Sequence, residues 1–235
     1  MIAERFCGPP GAGNGGYVCG RLASLIDAPV VEVTLRRPIP LEAPLSVADH
    51  ENGSVSLQLD GASVAEAKPS ADLILDHPPQ PSFEDALRAM PGYIGFARHG
   101  FPRCFVCGTA RDDGDGLRIF PGPLEGYEHT VAAPWTPDAS LADVGGVVRP
   151  EFMWAALDCP GAFALMGDRS RPMVLGRMTG AVKSPVEVGE RCVVLAWRIE
   201  VDGRKQTAGS VLFSEDGSIA AVAKAIWFDI VPQST

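Results

Sequence analysis

Apolar positions along this chain change period from about 3.6 residues to 2 twice over, in the same order each time. After a Gly- and Pro-rich opening over residues 1–13, Tyr17, Val18, Leu22, Leu25 and Ile26 fall at helical spacing. Asn14 stands at the expected N-cap, where its side-chain oxygen can accept from an amide of the first turn. Pro29 is expected to end that helix. Val31, Val33 and Leu35 then alternate with polar residues, and residues 45–47, 55–59 and 63–65 continue the alternation. Asn52-Gly53 and Asp60-Gly61 are hairpin-turn pairs between them. One helix followed by an antiparallel meander is the result.

The alternation stops between residues 76 and 102, where Pro78, Pro79 and Pro81 mark a linker and residues 83–90 suit a short connecting helix. Beyond it, residues 117–120 and 129–135 read as a strand pair that the first part lacks. Arg149-Pro150-Glu151 opens the second helix, with Pro150 in a first turn where its missing N–H costs nothing. Residues 152–157 are apolar all round, as expected of a helix wrapped by a sheet, and Pro160-Gly161 should kink or end it. Strands follow at 191–201, 206–213 and 219–230, joined by Asp202-Gly203 and Asp216-Gly217. Pro40-Leu41-Glu42 is answered by Pro185-Val186-Glu187, and Asp60-Gly61-Ala62-Ser63-Val64-Ala65 by Asp216-Gly217-Ser218-Ile219-Ala220-Ala221. The fold class is therefore α+β, a pseudo-symmetric pair of units. The expected organisation is a first unit over 1–76 that lacks its first strands, a linker over 77–102, and a second unit over 103–235.

Composition narrows the function classes. With 235 residues, 46% of them apolar, the chain can bury a sizeable core, as one large domain or two small ones. A net charge of −9 argues against nucleic-acid binding but leaves room for local Lys or Arg to hold a phosphorylated small ligand. The N-terminus lacks a basic segment followed by an apolar core, so no export signal is expected. The apolar run over residues 152–166 is broken by Asp158 and Pro160 and is too short to span a bilayer comfortably. The expectation is a cytoplasmic protein without membrane insertion, its six cysteines reduced, with a homodimer left open as its assembly.

A helix followed by an antiparallel meander resembles the hotdog fold, in which a curved sheet wraps a central helix. Two copies in one chain resemble the double-hotdog arrangement, in which the two sheets join edge to edge. The helix openings are similar to those of the acyl-CoA thioesterase branch, of the phenylacetyl-CoA thioesterase type. That branch opens its helix with His-Gly-Gly or a close variant and places Asp or Glu nine residues after the first of the three. Asn14-Gly15-Gly16 fits the opening but has Ala23 at the acidic position; Asp158 fits the acidic position but follows Arg149-Pro150-Glu151. Cys104-Phe105-Val106-Cys107-Gly108, followed by Gly116-Leu117, resembles the first strand of many such enzymes.

The resemblance implies one composite site for acyl-CoA hydrolysis. The Gly15 and Gly16 amides would polarise the thioester carbonyl, Asn14 would cap and orient that helix start, and Asp158 would activate water or attack directly. Helix-start amides favour a developing oxyanion, and a desolvated carboxylate is a stronger base. The mirror-image site should be inactive, because Pro150 has no N–H, Glu151 would repel an oxyanion and Ala23 has no acid–base group. Substrate-binding candidates are Tyr17 and the basic residues Arg36, Arg37, Lys183, Arg204 and Lys205, at strand ends and turns where CoA phosphates could rest. No metal or cofactor is required, CoA being part of the substrate. The alternatives are a non-catalytic acyl-CoA or lipid-binding hotdog, and a hydratase or acyl-transfer variant.

Other readings of the same residues are weaker. Gly11-Ala12-Gly13-Asn14-Gly15-Gly16 matches a dinucleotide fingerprint, with Glu32 downstream, but no apolar strand precedes it and no βαβ units follow. Asp158 has a purely structural alternative, bonded to backbone or to Tyr17, and Glu151 reads better as a helix-start carboxylate than as a catalyst. Cys104 and Cys107, with His99 upstream, lack the second pair of a closed zinc site, and Cys7, Cys19, Cys159 and Cys192 read as small core residues. His50, His77, His99 and His129 lie off both helices, against a dehydratase, and no Gly-x-Ser-x-Gly elbow is present.

Overall fold

Short runs of alternating side chains separated by turn glycines cannot bury an apolar face alone, and here they assemble into one sheet. A computed structural model describes residues 1–167 and 171–230. Its elements in chain order are α1 (Gly15–Ala23), β1 (Val31–Leu35), β2 (Ser46–Asp49), β3 (Val55–Leu59), β4 (Ala62–Pro69), α2 (Phe83–Ala89), β5 (Gly122–Pro123) and β6 (Thr130–Trp135). There follow α3 (Pro150–Ala156), α4 (Cys159–Met166), β7 (Met173–Val182), β8 (Cys192–Asp202), β9 (Lys205–Phe213) and β10 (Ile219–Asp229). The strands form one antiparallel sheet in the order β2-β3-β4-β1-β7-β10-β9-β8-β6-β5. The seam is β1 against β7, with Val31 opposite Gly180 and Thr34 opposite Arg177. Outward from it the order is β1, β4, β3, β2 on one side and β7, β10, β9, β8 on the other, so two hotdog sheets share one continuous surface.

Helices α1, α3 and α4 lie against one face of that sheet, and α1 crosses α3 closely because α1 is faced with glycine. A Cβ on Gly16 would lie 2.5 Å from Asp158 Cβ and 2.8 Å from the Trp154 carbonyl oxygen. One turn on, a Cβ on Gly20 would lie 2.6 Å from Glu151 Cα. Phe6, Tyr17, Phe105 and Phe152 fill the space beside the crossing, with the Phe6 and Tyr17 rings stacked at 4.1 Å between centroids. The second helix breaks after Ala156. Pro160 has no N–H to give the Ala156 carbonyl and its ring crowds that oxygen, so Asp158 leaves helical geometry at ψ −80° and α4 starts at Cys159. The Ser210 hydroxyl donates to the freed Leu157 carbonyl at 2.8 Å.

Both faces of the second unit's sheet are covered. Cys192 and Val194 of β8 face the helices, while Val193, Leu195 and Trp197 face a separate cluster under residues 73–86. This explains why β8 reads as a continuous apolar run rather than an alternation. The segment expected as a linker is thus a packed strap. Its Phe83 and Ala86 sit on that outer face, Glu84 pairs with Arg191 at 2.5 Å, and Tyr93 ends 2% exposed in the inner core. No helix among the described residues is long and apolar enough to cross a membrane.

Several expectations change. The first helix stops at Ala23, before Pro29, with the Ser24 amide turning back to Gly20 and Leu22. Residues 117–120 form no strand, because Arg118 adopts a φ of +52° that interrupts an extended run; β6 pairs instead with the two-residue β5. The β6 strand opens at Thr130, one residue later than expected, since His129 also has positive φ. Residues 104–108 form a tight turn rather than a first strand. A ten-residue strand, β7, occupies a stretch for which no element is expected. The last five residues of the expected second unit, and residues 168–170 within it, lie outside the described residues.

The glycine-faced crossing carries a direct test. Gly20→Ala gains helix propensity but forces α1 and α3 apart, and overpacking of this kind costs about 2 kcal/mol. For a chain of this size, Tm should fall by roughly 4–8 °C in calorimetry. An unchanged or raised Tm would show that the helices are not held at this distance.

Candidate active site

Asn14, Gly16 and Asp158, remote in sequence, meet where α1 begins and α3 breaks. Asn14 is 2% exposed, and its Oδ1 accepts from the Tyr17 amide at 2.9 Å, as an N-cap should. That bond fixes the amide orientation and turns Nδ2 toward Asp158, to whose Oδ2 it donates at 2.9 Å. The Gly16 amide donates to the same oxygen, also at 2.9 Å. Oδ1 of Asp158 is buried and has no hydrogen-bond partner among the described residues. Burial pushes the Asp158 carboxyl up to about 7; the nearby Cys104 sulfur adds to the rise, while the Gly16 and Asn14 bonds oppose it.

Asn14, Gly15 and Asp158 line a cavity of about 560 Å³. Its walls are largely apolar, with Phe101, Phe163, Leu175, Trp227 and Phe228 among them. Besides the exposed Arg37 and Arg98 side chains, the lining residues carry a backbone amide and an indole N–H with no partner among the described residues. One is the Gly15 amide, the first of its helix and so without an intrahelical acceptor; the other is the buried Trp227 indole N–H. Leu175 and Leu35 crowd Gly15, where a Cβ would lie 2.9 Å from Leu175 Cδ2.

The sequence-based candidates divide sharply. Asn14, Gly15 and Asp158 come together at the cavity, while Gly16 lies behind it with its amide engaged by Asp158. Tyr17 does not line the cavity; it packs in the aromatic cluster and its hydroxyl accepts from Arg21 at 3.2 Å. Arg36 and Arg37 line the cavity and are exposed, but Arg36 is held by Glu66 in a two-point pair at 2.9 and 2.6 Å. Lys183, Arg204 and Lys205 are exposed and do not line it. At the mirror position, Pro150 opens the helix without an amide proton, and Glu151 faces Arg149 at 3.7 Å.

Three contributors escape a reading of the sequence. Arg98 is exposed at the cavity edge, and neither it nor Arg37 has an ion-pair partner among the described residues. Trp227 lies on the last strand, with no local signal that its indole faces a cavity. Cys159 joins Cys104 and Cys107, with all three sulfurs within 4.8 Å of one another in the cavity wall. His99 also lines the cavity but is locked: its Nδ1 accepts from the Phe101 amide at 2.9 Å. Nε2 therefore carries the proton and donates to the Cys107 carbonyl at 2.9 Å, and burial lowers the ring's pKa.

The sequence matches no protein-family model and no curated protein. Solved structures match it over nearly the whole length. The TesB protein of Mycobacterium avium subsp. paratuberculosis superposes with a TM-score of 0.64 at 15% identity, over 96% of this chain and 90% of that one. Acyl-CoA thioesterase II TesB2 of Mycobacterium marinum gives 0.61 at 12% identity, over 93% and 90%. A hotdog-fold protein of unknown function from Alicyclobacillus acidocaldarius gives 0.59 at 10% identity, over 98% and 92%. At these identities the likeness is one of architecture, and it agrees with the joined sheets and crossed helices: the chain has the double-hotdog fold.

Proposed function

We propose that this protein hydrolyses acyl-CoA thioesters at the cavity between its two hotdog units. The observation that carries this reading is the Asn14–Gly16–Asp158 cluster. A carboxylate from one unit is bound by the helix start of the other, in the wall of an apolar cavity that also exposes an unpaired helix-start amide. The name acyl-CoA thioesterase II, borne by the Mycobacterium marinum structure of the same fold, agrees with it.

In this mechanism the acyl group lies in the cavity with its carbonyl oxygen at the Gly15 amide, where the helix start favours negative charge. Asp158 takes a proton from a water molecule as that water adds to the carbonyl carbon. Collapse of the adduct breaks the carbon–sulfur bond, and the departing thiolate takes up the proton, leaving a carboxylic acid and free CoA. Asn14 keeps the carboxylate aimed while capping the helix that supplies the amide. Walls containing Phe101, Phe163, Trp227 and Phe228 suit an aromatic acyl group such as phenylacetyl. The unpaired Arg37 and Arg98 at the edge suit the CoA phosphates. One such site forms per chain, because the mirror position lacks both amide and carboxylate.

Asp158→Asn keeps the shape of the cluster and removes the base. It should lower kcat for phenylacetyl-CoA by about 10²–10⁴-fold, with free thiol as the readout, while the affinity measured by calorimetry changes little. If the wild-type protein binds acyl-CoAs but releases thiol from none of them, it is a binding protein and not a hydrolase.

The phosphate assignment has its own test. Arg37→Ala with Arg98→Ala should raise KM for acyl-CoA about tenfold and leave kcat unchanged. The same variant should be indifferent to a truncated thioester that lacks the nucleotide. Equal effects on both substrates would move the phosphates elsewhere.

A further inference from the structure

Four features of the cysteine trio set it apart from cysteines that merely pack. The first is convergence. Cys104 Sγ and Cys159 Sγ are 3.6 Å apart, and Cys107 Sγ completes a triangle with no edge above 4.8 Å. Three thiolates on one tetrahedral zinc, at about 2.3 Å each, stand about 3.8 Å from one another, so the trio is within about 1 Å of a ligating geometry. Cys7, Cys19 and Cys192 are buried too but join no such group.

The second is a rigid turn. The Gly108 amide donates to the Cys104 carbonyl at 2.9 Å and the Ala110 amide to the Pro102 carbonyl at 2.8 Å. A Cβ on Gly108 would lie 2.4 Å from the Cys104 oxygen, so the residue after Cys107 must be glycine for the loop to close. Phe105 and Val106 are tied on either side, to Cys7 and Ile119. The two cysteines of the loop are thus held before any ligand arrives.

The third is the surrounding hydrogen bonding. Asn14 Nδ2 lies 3.8 Å from Cys104 Sγ and 3.9 Å from Cys159 Sγ, within donor range for sulfur. Donors around a sulfur stabilise its thiolate, the form that binds metal.

The fourth is access. All three cysteines line the cavity, and neither Asp158 nor His99 belongs to the close group. Three protein ligands with the fourth position facing an accessible space is the pattern of an open metal site, not a closed structural one. Thiolates select soft or borderline ions and reject magnesium and calcium.

We propose that Cys104, Cys107 and Cys159 form a mononuclear binding site for a thiophilic divalent cation, zinc by ligand type, with its fourth coordination position open to the cavity. Binding releases the thiol protons to solvent and draws the three sulfurs together. Nothing in this proposal depends on the hydrolase reading.

The test is a cobalt(II) titration of protein purified and kept anaerobic with a phosphine reductant. The expected result is thiolate-to-metal charge-transfer absorption and tetrahedral d–d bands that saturate at one equivalent and are displaced by zinc. In Cys159→Ser the charge-transfer intensity should fall by about a third, and affinity by at least tenfold, because one of three thiolates is gone. Wild-type protein without charge-transfer absorption at one equivalent would overturn the proposal whether or not the variant folds. So would a folded Cys159→Ser variant with an unchanged spectrum. Saturation at one equivalent with octahedral bands would likewise sink it, since that places the ion on oxygen ligands.

Discussion

How closely two helix backbones can approach decides what else in this molecule is possible. Gly16 and Gly20 give α1 a face without side chains, and α3 and the break after it lie on that face so tightly that a Gly16 Cβ would stand 2.5 Å from Asp158 Cβ. Only at that separation can the Asp158 carboxylate reach the Gly16 amide and the Asn14 side chain, each at 2.9 Å. An alanine at position 16 would displace the carboxylate as well as the helix. Packing and chemistry at this point are one constraint, and it explains why a glycine serves where helix propensity would favour almost any other residue.

The break after Ala156 supplies the second requirement. In an uninterrupted helix, residues 158 and 159 would continue along the axis and face different directions. Pro160 stops the ladder, and the freed segment turns Asp158 toward α1 and Cys159 toward the loop of Cys104 and Cys107. The Ser210 hydroxyl accommodates the exposed Leu157 carbonyl, so the distortion leaves that oxygen bonded. Chemistry then concentrates on a short irregular stretch braced by rigid neighbours on both sides.

Much of this was legible in the residues. The nine-residue spacing from Asn14 to Ala23 and from Arg149 to Asp158 registers the two helices against each other. Aspartate–glycine and asparagine–glycine pairs mark most hairpins of both sheets. What stayed hidden has identifiable causes. Strand β7 carries Gly176 and Gly180, and glycine weakens a strand's pattern in composition, yet a Cβ there would lie 2.4 Å from the Phe228 ring and 2.9 Å from the Trp154 ring. Residues 117–120 alternate like a strand, but one positive φ at Arg118 is invisible in composition. Cys159 could not be assigned to the other two cysteines, because their meeting depends on where the helix breaks. Arg98 and Trp227 reach the cavity through tertiary packing alone.

The strap over residues 73–86 makes the two units unequal on their outward side. Trp197, Phe213 and their neighbours on the back of the second sheet are sealed by the chain's own Leu73, Leu75 and Phe83, and Glu84 is pinned to Arg191. A second molecule stacking there would first have to peel that covering away and offer an apolar surface of its own in exchange.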